Sequence, residues 1–328
     1  MMNQKHNMIP IFFSSDDNYL PFLAVSIRSL IENASPDYSY CIHILNNGLD
    51  EARLSHILAM QTENVEIRPV DVTSVIAPIA ERLNLRDYYT VSIYFRLFIA
   101  SMFPQYHKAI YLDADIAVNG DISELYNISL GKKILGVVSD DIIASHRDFR
   151  RYAEEGVGVP YRRYFNSGVL LMNLDAFRLA DIERRFVYLL QKYHFETVCP
   201  DQDYLNVLCR DRVLYLDKGW NKMSIDRNYD GVPKIVHYNM FYKPWQYTNI
   251  VYQEYFWKYA QMTPFYGELK QMQKNFGFKG RMGHRRANRT LHRNALRISD
   301  LPNNFKCVMN ASPIEAGDLH FDGAVYEA

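Results

Sequence analysis

Two aspartates, Asp113 and Asp115, follow directly on the apolar run from Ala109 to Leu112. Such a run is typical of a strand that is buried on both faces of a parallel sheet, and open α/β sheets bind ligands at the carboxyl ends of these strands. Two neighbouring carboxylates repel each other unless protons or a cation separate them. A divalent cation with oxygen ligands would also hold an anion such as a diphosphate. Because a lone Asp-x-Asp is more often an acidic turn, the metal-site interpretation depends on the rest of the chain.

Predicted strands and helices alternate along most of the chain. Strands are expected at residues 8–13, 40–45, 65–70, 108–112, 134–139, 213–216 and 234–237, with a further buried strand after the polar turn at 164–168. Helices are expected at residues 18–31, 50–60, 90–103 (capped by Thr90), 121–126, 142–155 and 175–193, and from residue 200 onward. This order implies an α/β fold with right-handed crossovers, a mostly parallel central sheet and a Rossmann-like N-terminal half.

The strand–helix alternation stops beyond about Gly267. We therefore predict one domain over residues 1–265 and a helical, basic C-terminal extension and tail over residues 266–328. The last thirty or so residues are predicted to be irregular.

The composition is that of a soluble globular protein, with 48% apolar and 23% charged residues in a chain of 328. Four cysteines show no paired spacing, which favours reduced cytosolic thiols over a disulfide framework. The polar N-terminus lacks the apolar segment of a signal peptide, and no apolar run approaches the length of a membrane span. A cytoplasmic location is the expectation.

The charge is unevenly distributed although the formal net charge is zero. The segment from Leu269 to Arg297 holds nine Lys or Arg residues and no acid, interleaved with Phe276, Phe278 and Leu291. This pattern suits peripheral attachment to an anionic membrane, at roughly 1 kcal/mol for each basic residue near the lipid, or a solvated helix face without a partner. No recognised nucleic-acid module accompanies the charge, so a nucleic-acid partner is not expected.

Further residues of chemical interest lie elsewhere in the chain. Arg96 sits in an apolar stretch, either as the partner of a buried acid or as a snorkelling surface residue. Asp201, Gln202 and Asp203 open a helix, and capping alone does not require all three. His237-Tyr238 follows an apolar strand and precedes Lys243-Pro244-Trp245.

Six stretches together resemble glycosyltransferase family 8, in the order and at spacings similar to those of the family, over roughly residues 8–260. They are Ser14 to Asn18, Arg96 in its helix, Tyr111 to Asp115, Phe165 to Val169, Asp201 to Asp203, and His237-Tyr238 with Lys243-Pro244-Trp245. The resemblance implies an A-type glycosyltransferase fold, UDP-glucose or UDP-galactose as donor, Mn²⁺ with Mg²⁺ as the alternative, and transfer with retention. The acceptor would be a saccharide, a lipid-linked glycan or another cell-envelope glycan.

The resemblance also implies roles for individual residues. Asp113, Asp115 and His237 would bind the metal, which requires the His237 ring within about 10 Å of both carboxyl groups. The uracil and ribose would lie at Asp16 and Asn18. The donor sugar would be lined by Arg96, Asn166, Asp201 and Gln202. The diphosphate would contact Lys243. Two carboxylates and one imidazole form a mixed oxygen and nitrogen shell, which suits Mn²⁺ better than Mg²⁺.

The route to retention stays open at this level. Retention usually requires a nucleophile on the far face of the sugar. Gln202 is the candidate, but its amide oxygen is a poor nucleophile, so a short-lived oxocarbenium ion attacked from the leaving-group face is an equal alternative.

Many relatives also have a glycine between His-Tyr and Lys-Pro-Trp, where this chain reads Asn239 to Tyr242. This departure affects the phosphate contacts rather than the metal site.

Two other functions fit part of the pattern. In haloacid-dehalogenase-like phosphatases the first Asp of an Asp-x-Asp is the nucleophile, which would be Asp113. Their motif lies on the first strand, with Thr or Val two residues after the second Asp, where this chain has Ala117. A nucleotide-sugar-binding protein without turnover is the other alternative. UDP release from a UDP-sugar, phosphate release from a phosphomonoester, or UDP binding without turnover would distinguish the three.

Overall fold

The computed structural model describes residues 8–82 and 91–311. Thr90, the predicted helix cap, lies outside them. Ten strands are present in these ranges: β1 (Met8–Ser14), β2 (Ser39–Asn46), β3 (Val65–Asp71), β4 (Lys108–Leu112), β5 (Ile116–Val118), β6 (Leu135–Ser139), β7 (Phe165–Asn173), β8 (Val213–Tyr215), β9 (Lys222–Met223) and β10 (Ile235–His237). The predicted strand positions agree with eight of these elements within a few residues.

Seven strands form the central sheet in the order β3-β2-β1-β4-β7-β6-β8. All are parallel except β7, which pairs antiparallel with β4 and β6. Strands β1, β2 and β4 are almost fully buried, as their continuous apolar sequences require. The carboxyl ends of β1 and β4 and the amino end of β7 therefore meet at one edge of the sheet, and the predicted mostly parallel sheet is confirmed.

A second sheet of three short strands, in the order β5-β10-β9, lies beyond that edge. Strand β5 begins directly after Asp115 and pairs antiparallel with β10, with His237 opposite Ile116. This register brings His237 next to Asp115, although the two residues are far apart in sequence.

Fourteen α-helices flank the sheets within the described residues. They are α1 (Leu20–Glu32), α2 (Glu51–Leu58), α3 (Thr73–Ile76), α4 (Ile99–Met102), α5 (Ile122–Asn127), α6 (Asp141–Ser145), α7 (Arg147–Arg151), α8 (Leu174–Leu179), α9 (Ile182–Tyr193), α10 (Pro200–Leu208), α11 (Gln253–Ala260), α12 (Tyr266–Asn275), α13 (Phe278–Ser299) and α14 (Phe305–Ala311). Arg96 lies in a 3₁₀ helix, Val91–Leu97, that precedes α4 rather than in one continuous α-helix.

Two predicted long helices are interrupted. The single helix expected at 142–155 is instead α6, α7 and a π-helical turn at Tyr152–Val157, because His146 has extended backbone between the first two. The helix expected at 175–193 breaks between α8 and α9, where Asp181 has a φ of 50°.

The predicted helical C-terminal extension is confirmed by α12 and α13. The expectation that the last thirty or so residues are irregular is wrong for Phe305–Ala311, which form α14. Leu291, Ala295 and Ile298 on α13 are buried and belong to the same apolar core as the residues on one face of the central sheet. Across the described residues, no helix combines the length and the apolar character needed to cross a bilayer.

Candidate active site at the carboxyl edge of the sheet

A cleft of about 880 Å³ opens at the edge where β1 and β4 end and β7 begins. Nine of the sequence-predicted site residues line it: Asn18, Arg96, Asp113, Asp115, Asn166, Asp201, Gln202, His237 and Lys243. Asp16 is the exception. Its carboxylate accepts the backbone N–H groups of Asn18 and Tyr19 at 2.9 and 3.1 Å and thereby forms the turn that leads into α1.

Three candidate metal ligands converge on the floor of this cleft. His237 Nε2 lies 3.1 Å from Asp115 Oδ1 and 3.7 Å from Asp113 Oδ2. Together the ligand atoms of the three residues lie within 4.8 Å of one another. Two ligands bound at right angles, each about 2.1 Å from one ion, are about 3 Å apart. The three residues therefore fit a single divalent cation, well inside the 10 Å limit expected from the sequence.

Each carboxylate uses its other oxygen to bind a buried cation of the protein. Arg96 donates to Asp113 Oδ1 at 2.8 Å, and Lys243 donates to Asp115 Oδ2. Burial raises the pKa of the Asp115 carboxyl, but the positive charge of Lys243, together with the neighbouring His237 imidazole, outweighs burial and holds this pKa below its ordinary value. Asp115 is therefore ionised and available as a ligand across the physiological pH range.

Arg96 is the partner of buried acids, which decides between the two roles left open by the sequence. Its side chain is 4% exposed, and its guanidinium lies between Asp113 and Asp201, with Nε 3.3 Å from Asp201 Oδ2. The guanidinium also lies over the Tyr111 ring at 4.2 Å from the centroid and donates to the Ser167 carbonyl. Burial alone would lower the pKa of Arg96, but the two carboxylates raise it.

A chain of hydrogen bonds fixes which nitrogen of His237 faces the carboxylates. The Gly168 backbone N–H donates to Asn166 Oδ1 at 2.9 Å, which identifies that atom as the amide oxygen. Asn221 Nδ2 donates to the same oxygen at 2.9 Å, so Asn221 Oδ1 faces His237 Nδ1 at 3.0 Å. In the neutral imidazole Nδ1 must then carry the proton, and Nε2 keeps the lone pair that a metal ion requires.

Gly168 is required by the close approach of two of the candidate ligands. A Cβ atom at this position would lie 2.3 Å from His237 Cε1 and 2.6 Å from Asp113 Oδ2. The Gly168 carbonyl also accepts the backbone N–H of Asp113 at 2.8 Å. Any side chain here would displace the imidazole or the carboxylate.

Asn166 and Gln202 are hydrogen-bonded to each other and to Asp140. Asn166 Nδ2 donates to Gln202 Oε1 at 3.0 Å and to Asp140 Oδ2 at 3.1 Å, and Gln202 Nε2 donates to the same Asp140 oxygen. The Ser167 backbone N–H also donates to Gln202 Oε1 at 3.0 Å. Two donors thus occupy the amide oxygen of Gln202 in this structure. The predicted roles of Asn166 and Gln202 at the donor sugar stay predictions.

The two aspartates at the start of α10 have different surroundings. Asp201 lines the cleft and accepts the Ser167 hydroxyl at 2.8 Å. Asp203 instead lies in the core, where it accepts the hydroxyls of Tyr152 and Tyr164 at 2.6 and 2.5 Å. Burial raises the pKa of both carboxyls, that of Asp203 to about 7. Asp203 therefore stabilises the packing of α10 and does not contact the cleft.

The loop between β10 and α11 carries Lys243 and departs from the glycine-containing pattern. Met240 has a φ of 58°, the left-handed region that a glycine adopts without strain. Lys243 is buried against Asp115 rather than free in the cleft. Its predicted contact with a diphosphate stays a prediction.

Sequence reasoning missed three contributors to the site. Asp140 follows β6 as Asp113 follows β4, so the strand-end rule could have found it. Asn221 lies between short elements and has no local signal. The helices α12 and α13 and the link between them contribute a wall, through Gln271, Leu291 and Phe276 respectively among others. The i, i+4, i+7 spacing of Leu291, Ala295 and Ile298 could have indicated that α13 packs on the body.

The family model of glycosyl transferase family 8 matches residues 10–249. The lipopolysaccharide 1,2-glucosyltransferase of Escherichia coli (strain K12) is 25% identical over 253 residues, 72% of this chain and 72% of that relative. The lipopolysaccharide glucosyltransferase WaaO of the same strain is 28% identical over 218 residues, covering 65% and 62%. The chain spans only 64%, 62% and 25% of the length of three other curated relatives.

Solved structures show the same fold. An active-site mutant of LgtC superposes with a TM-score of 0.66 at 25% identity, covering 78% of this chain and 96% of that one. The bifunctional glycosyltransferase WbbM gives a TM-score of 0.70 at 23% identity, covering 84% and 53%. The fold predicted from the resemblance is thus confirmed, and with the family match over residues 10–249 the chain belongs to glycosyl transferase family 8.

Proposed function

We propose that this chain is a retaining hexosyltransferase that moves glucose or galactose from a UDP-sugar to a saccharide or cell-envelope acceptor. Its ion would be Mn²⁺, with Mg²⁺ as the alternative, bound by Asp113, Asp115 and His237. The observation that carries the proposal is the convergence of two carboxylate oxygens and one imidazole nitrogen within 4.8 Å on the floor of a large cleft. The relatives that are named lipopolysaccharide glucosyltransferases support the acceptor class.

The charges around the cleft suit a nucleoside diphosphate as the leaving group. A bound divalent ion would offset the negative charge that UDP gains as the sugar–phosphate bond breaks. Lys243 places a second positive charge beside Asp115, and its flexible side chain would offer this charge to the diphosphate. Asn18 lies in the loop after β1 and would lie at the nucleoside, together with the neighbouring Asp16, whose carboxylate forms that turn.

The donor sugar would lie against Arg96, Asn166, Asp201 and Gln202. Arg96 and Asp201 offer N–H donors and a carboxylate acceptor to sugar hydroxyls, which such groups discriminate well. The engaged amide oxygen of Gln202 favours the short-lived oxocarbenium ion over direct attack by Gln202, because attack would require breaking its bonds from Asn166 and Ser167.

We also propose peripheral attachment of the chain to an anionic membrane through the segment from Lys270 to Arg297. On α13, Phe278 is 78% exposed and Met282 is 45% exposed, beside the exposed Lys279 and Arg286. Exposed apolar side chains next to basic ones are typical of helices that lie in a membrane interface. Attachment would bring the cleft close to a lipid-linked acceptor.

A screen of UDP release from a panel of UDP-sugars tests the sugar-transfer proposal, with Mn²⁺, with Mg²⁺ or with a chelator. We expect metal-dependent release from UDP-glucose or UDP-galactose. Asp113→Asn and Asp115→Asn should each lower the rate by roughly 100-fold or more, since changes outside the ligand shell already cost 10- to 100-fold. Asp230→Asn, at an exposed aspartate of the same charge, is the matched control.

Two outcomes contradict the proposal. Phosphate release from a phosphomonoester without UDP release would favour a phosphatase with Asp113 as nucleophile. Metal-dependent binding of UDP without release or transfer would favour a nucleotide-sugar-binding protein.

A further inference from the structure

A second cavity, of about 340 Å³, lies beside the main cleft. We call it the arginine pocket. Its lining residues come from two elements, the loop before α11 and the N-terminal half of α13: Phe241, Tyr242, Tyr247, Arg281, His284, Arg285, Asn288 and Arg289. Phe241 and His284 line the main cleft as well, so these two side chains form the wall between the two cavities.

Three arginines give this pocket its charge. Arg281, Arg285 and Arg289 are spaced four residues apart, which places them on one side of α13 at intervals of about 6 Å. All three are exposed, and within the described ranges none of them forms an ion pair with a carboxylate. Arg297, further along the same helix, is by contrast paired with Glu196. Like charges at this spacing repel one another, so the row favours an anion.

The opposite side of the pocket is aromatic and held in place. Tyr247 shares a hydrogen bond of 3.2 Å with His284 Nδ1, and its ring lies 5.5 Å from that of Tyr242. Gln273 on α12 donates to the carbonyls of Pro244 and Tyr247, which ties the loop to the helix. Tyr242 is 57% exposed and offers a flat face. Aromatic faces beside charged groups are suited to bind a sugar ring next to an anionic substituent.

The arginine pocket lies next to the proposed donor site but is separate from it. The loop that lines the pocket with Tyr242 also carries Lys243, which points to Asp115 in the main cleft. The candidate metal ligands and Lys243 already supply the main cleft with groups for a diphosphate. A second cationic site next to the main cleft is therefore suited to bind an anionic group of the acceptor, which is the other substrate.

We propose that the arginine pocket binds a phosphoryl group carried by the acceptor saccharide, whose sugar reaches past Phe241 and His284 into the main cleft. This inference rests on the proposed sugar transfer and names the acceptor class as a phosphorylated glycan. Arginine guanidinium groups match phosphoryl oxygens in geometry and charge, and several of them favour a dianion over a single carboxylate.

Calorimetric binding of glucose 6-phosphate, with saturating UDP and MgCl₂ to fill the donor cleft, tests the proposal on the full chain. The triple variant Arg281→Gln/Arg285→Gln/Arg289→Gln should bind it roughly tenfold or more weakly than the wild type. The triple variant Lys274→Gln/Lys279→Gln/Arg293→Gln removes the same charge from the same segment and should bind as the wild type does. Glucose without the phosphoryl group should not bind measurably.

Several results would overturn the inference. The first is equal binding of glucose 6-phosphate by the two triple variants. The second is binding of glucose as tight as that of glucose 6-phosphate. The third is binding of inorganic phosphate as tight as that of glucose 6-phosphate, which would indicate an anion site without a saccharide. Loss of binding to phosphatidylglycerol vesicles in the arginine variant, with no sugar-phosphate binding by the wild type, would favour a lipid surface. Failure of UDP release in the donor screen, with intact glucose 6-phosphate binding, would contradict the sugar-transfer proposal and leave the pocket in place.

Discussion

The charges at the floor of the cleft are nearly balanced by the protein itself. Asp113, Asp115 and Asp201 carry three negative charges, and Arg96 and Lys243 carry two positive ones in direct contact with them. One negative charge remains beside His237. Such a site can fold without an ion and still attract one, because buried charges are tolerated only when paired and the residual charge is negative.

At the residue scale, Asn221→Leu should weaken Mn²⁺ binding by roughly 10- to 100-fold, the usual range for a group behind a metal ligand. Leucine cannot accept the Nδ1–H of His237, so the ring loses both its orientation and its preferred tautomer. The measurement is a titration with Mn²⁺ followed by electron paramagnetic resonance of the free ion. Asn228→Leu, at an exposed position nearby, serves as the control. Unchanged Mn²⁺ affinity in Asn221→Leu would show that a group other than Asn221 sets the tautomer of His237.

At the scale of elements, Asp203 links α10 to two other parts of the fold. Tyr152 lies in the π-helical turn after α7, and Tyr164 directly precedes β7. The Tyr152 hydroxyl also accepts the Val198 backbone N–H at 2.9 Å, so the carboxyl is one member of a small buried network. A buried network of this kind holds its elements in one arrangement only if every member is satisfied.

This network predicts a pH-dependent stability. The pKa of Asp203 is about 7 in the folded chain, above its value near 3.9 in an unfolded one. A raised pKa means that the stabilising contribution of the protonated carboxyl is complete below pH 4 and is lost as the pH rises through 7. The melting temperature of the wild type should therefore fall between pH 5 and pH 8 relative to that of Asp203→Asn, whose amide does not titrate in this range. Parallel melting curves over this range would contradict the assignment.

The sequence predicts the strands and helices well, but it predicts the contacts between them less well. The apolar strands before Asp113 and His237 are visible in the sequence, but the pairing of β5 with β10 depends on tertiary packing that a local pattern does not encode. The sequence does not predict the break after Ser145, because the helix periodicity continues across His146, whose extended backbone depends on its surroundings. Asn221 could not be found because its role exists only once β9 and β10 are side by side.

At the scale of the whole molecule, the C-terminal helices are part of the same body as the sheet. His292 stacks on Phe149 at 4.4 Å and bonds to Asp148, while Leu291 lines the main cleft. The division into a domain over residues 1–265 and an extension over residues 266–328 stays a prediction. These contacts make truncation a poor test of it. Removing the segment would expose core residues, so single surface changes are the better probes.

The membrane proposal predicts that Phe278→Ser/Met282→Ser lowers binding to vesicles containing phosphatidylglycerol, because two exposed apolar side chains are lost from the interface. The reduction should be several-fold or more by vesicle co-sedimentation, with little change in melting temperature. Leu179→Ser removes a residue that is 89% exposed on another helix and is the matched control. Equal sedimentation of all three proteins would leave the basic segment as a solvated surface.

The late position of α13 in the chain has a consequence for biosynthesis. Translation delivers Asp113, Gly168 and His237 well before Leu291, so a nascent chain can assemble its ligand cluster while one wall is still inside the ribosome. Until α13 docks, the Phe149 ring and its apolar neighbours face water, and exposed surfaces of this kind attract chaperones. The cleft therefore gains its wall at Leu291 only after the basic helix has emerged from the ribosome and docked.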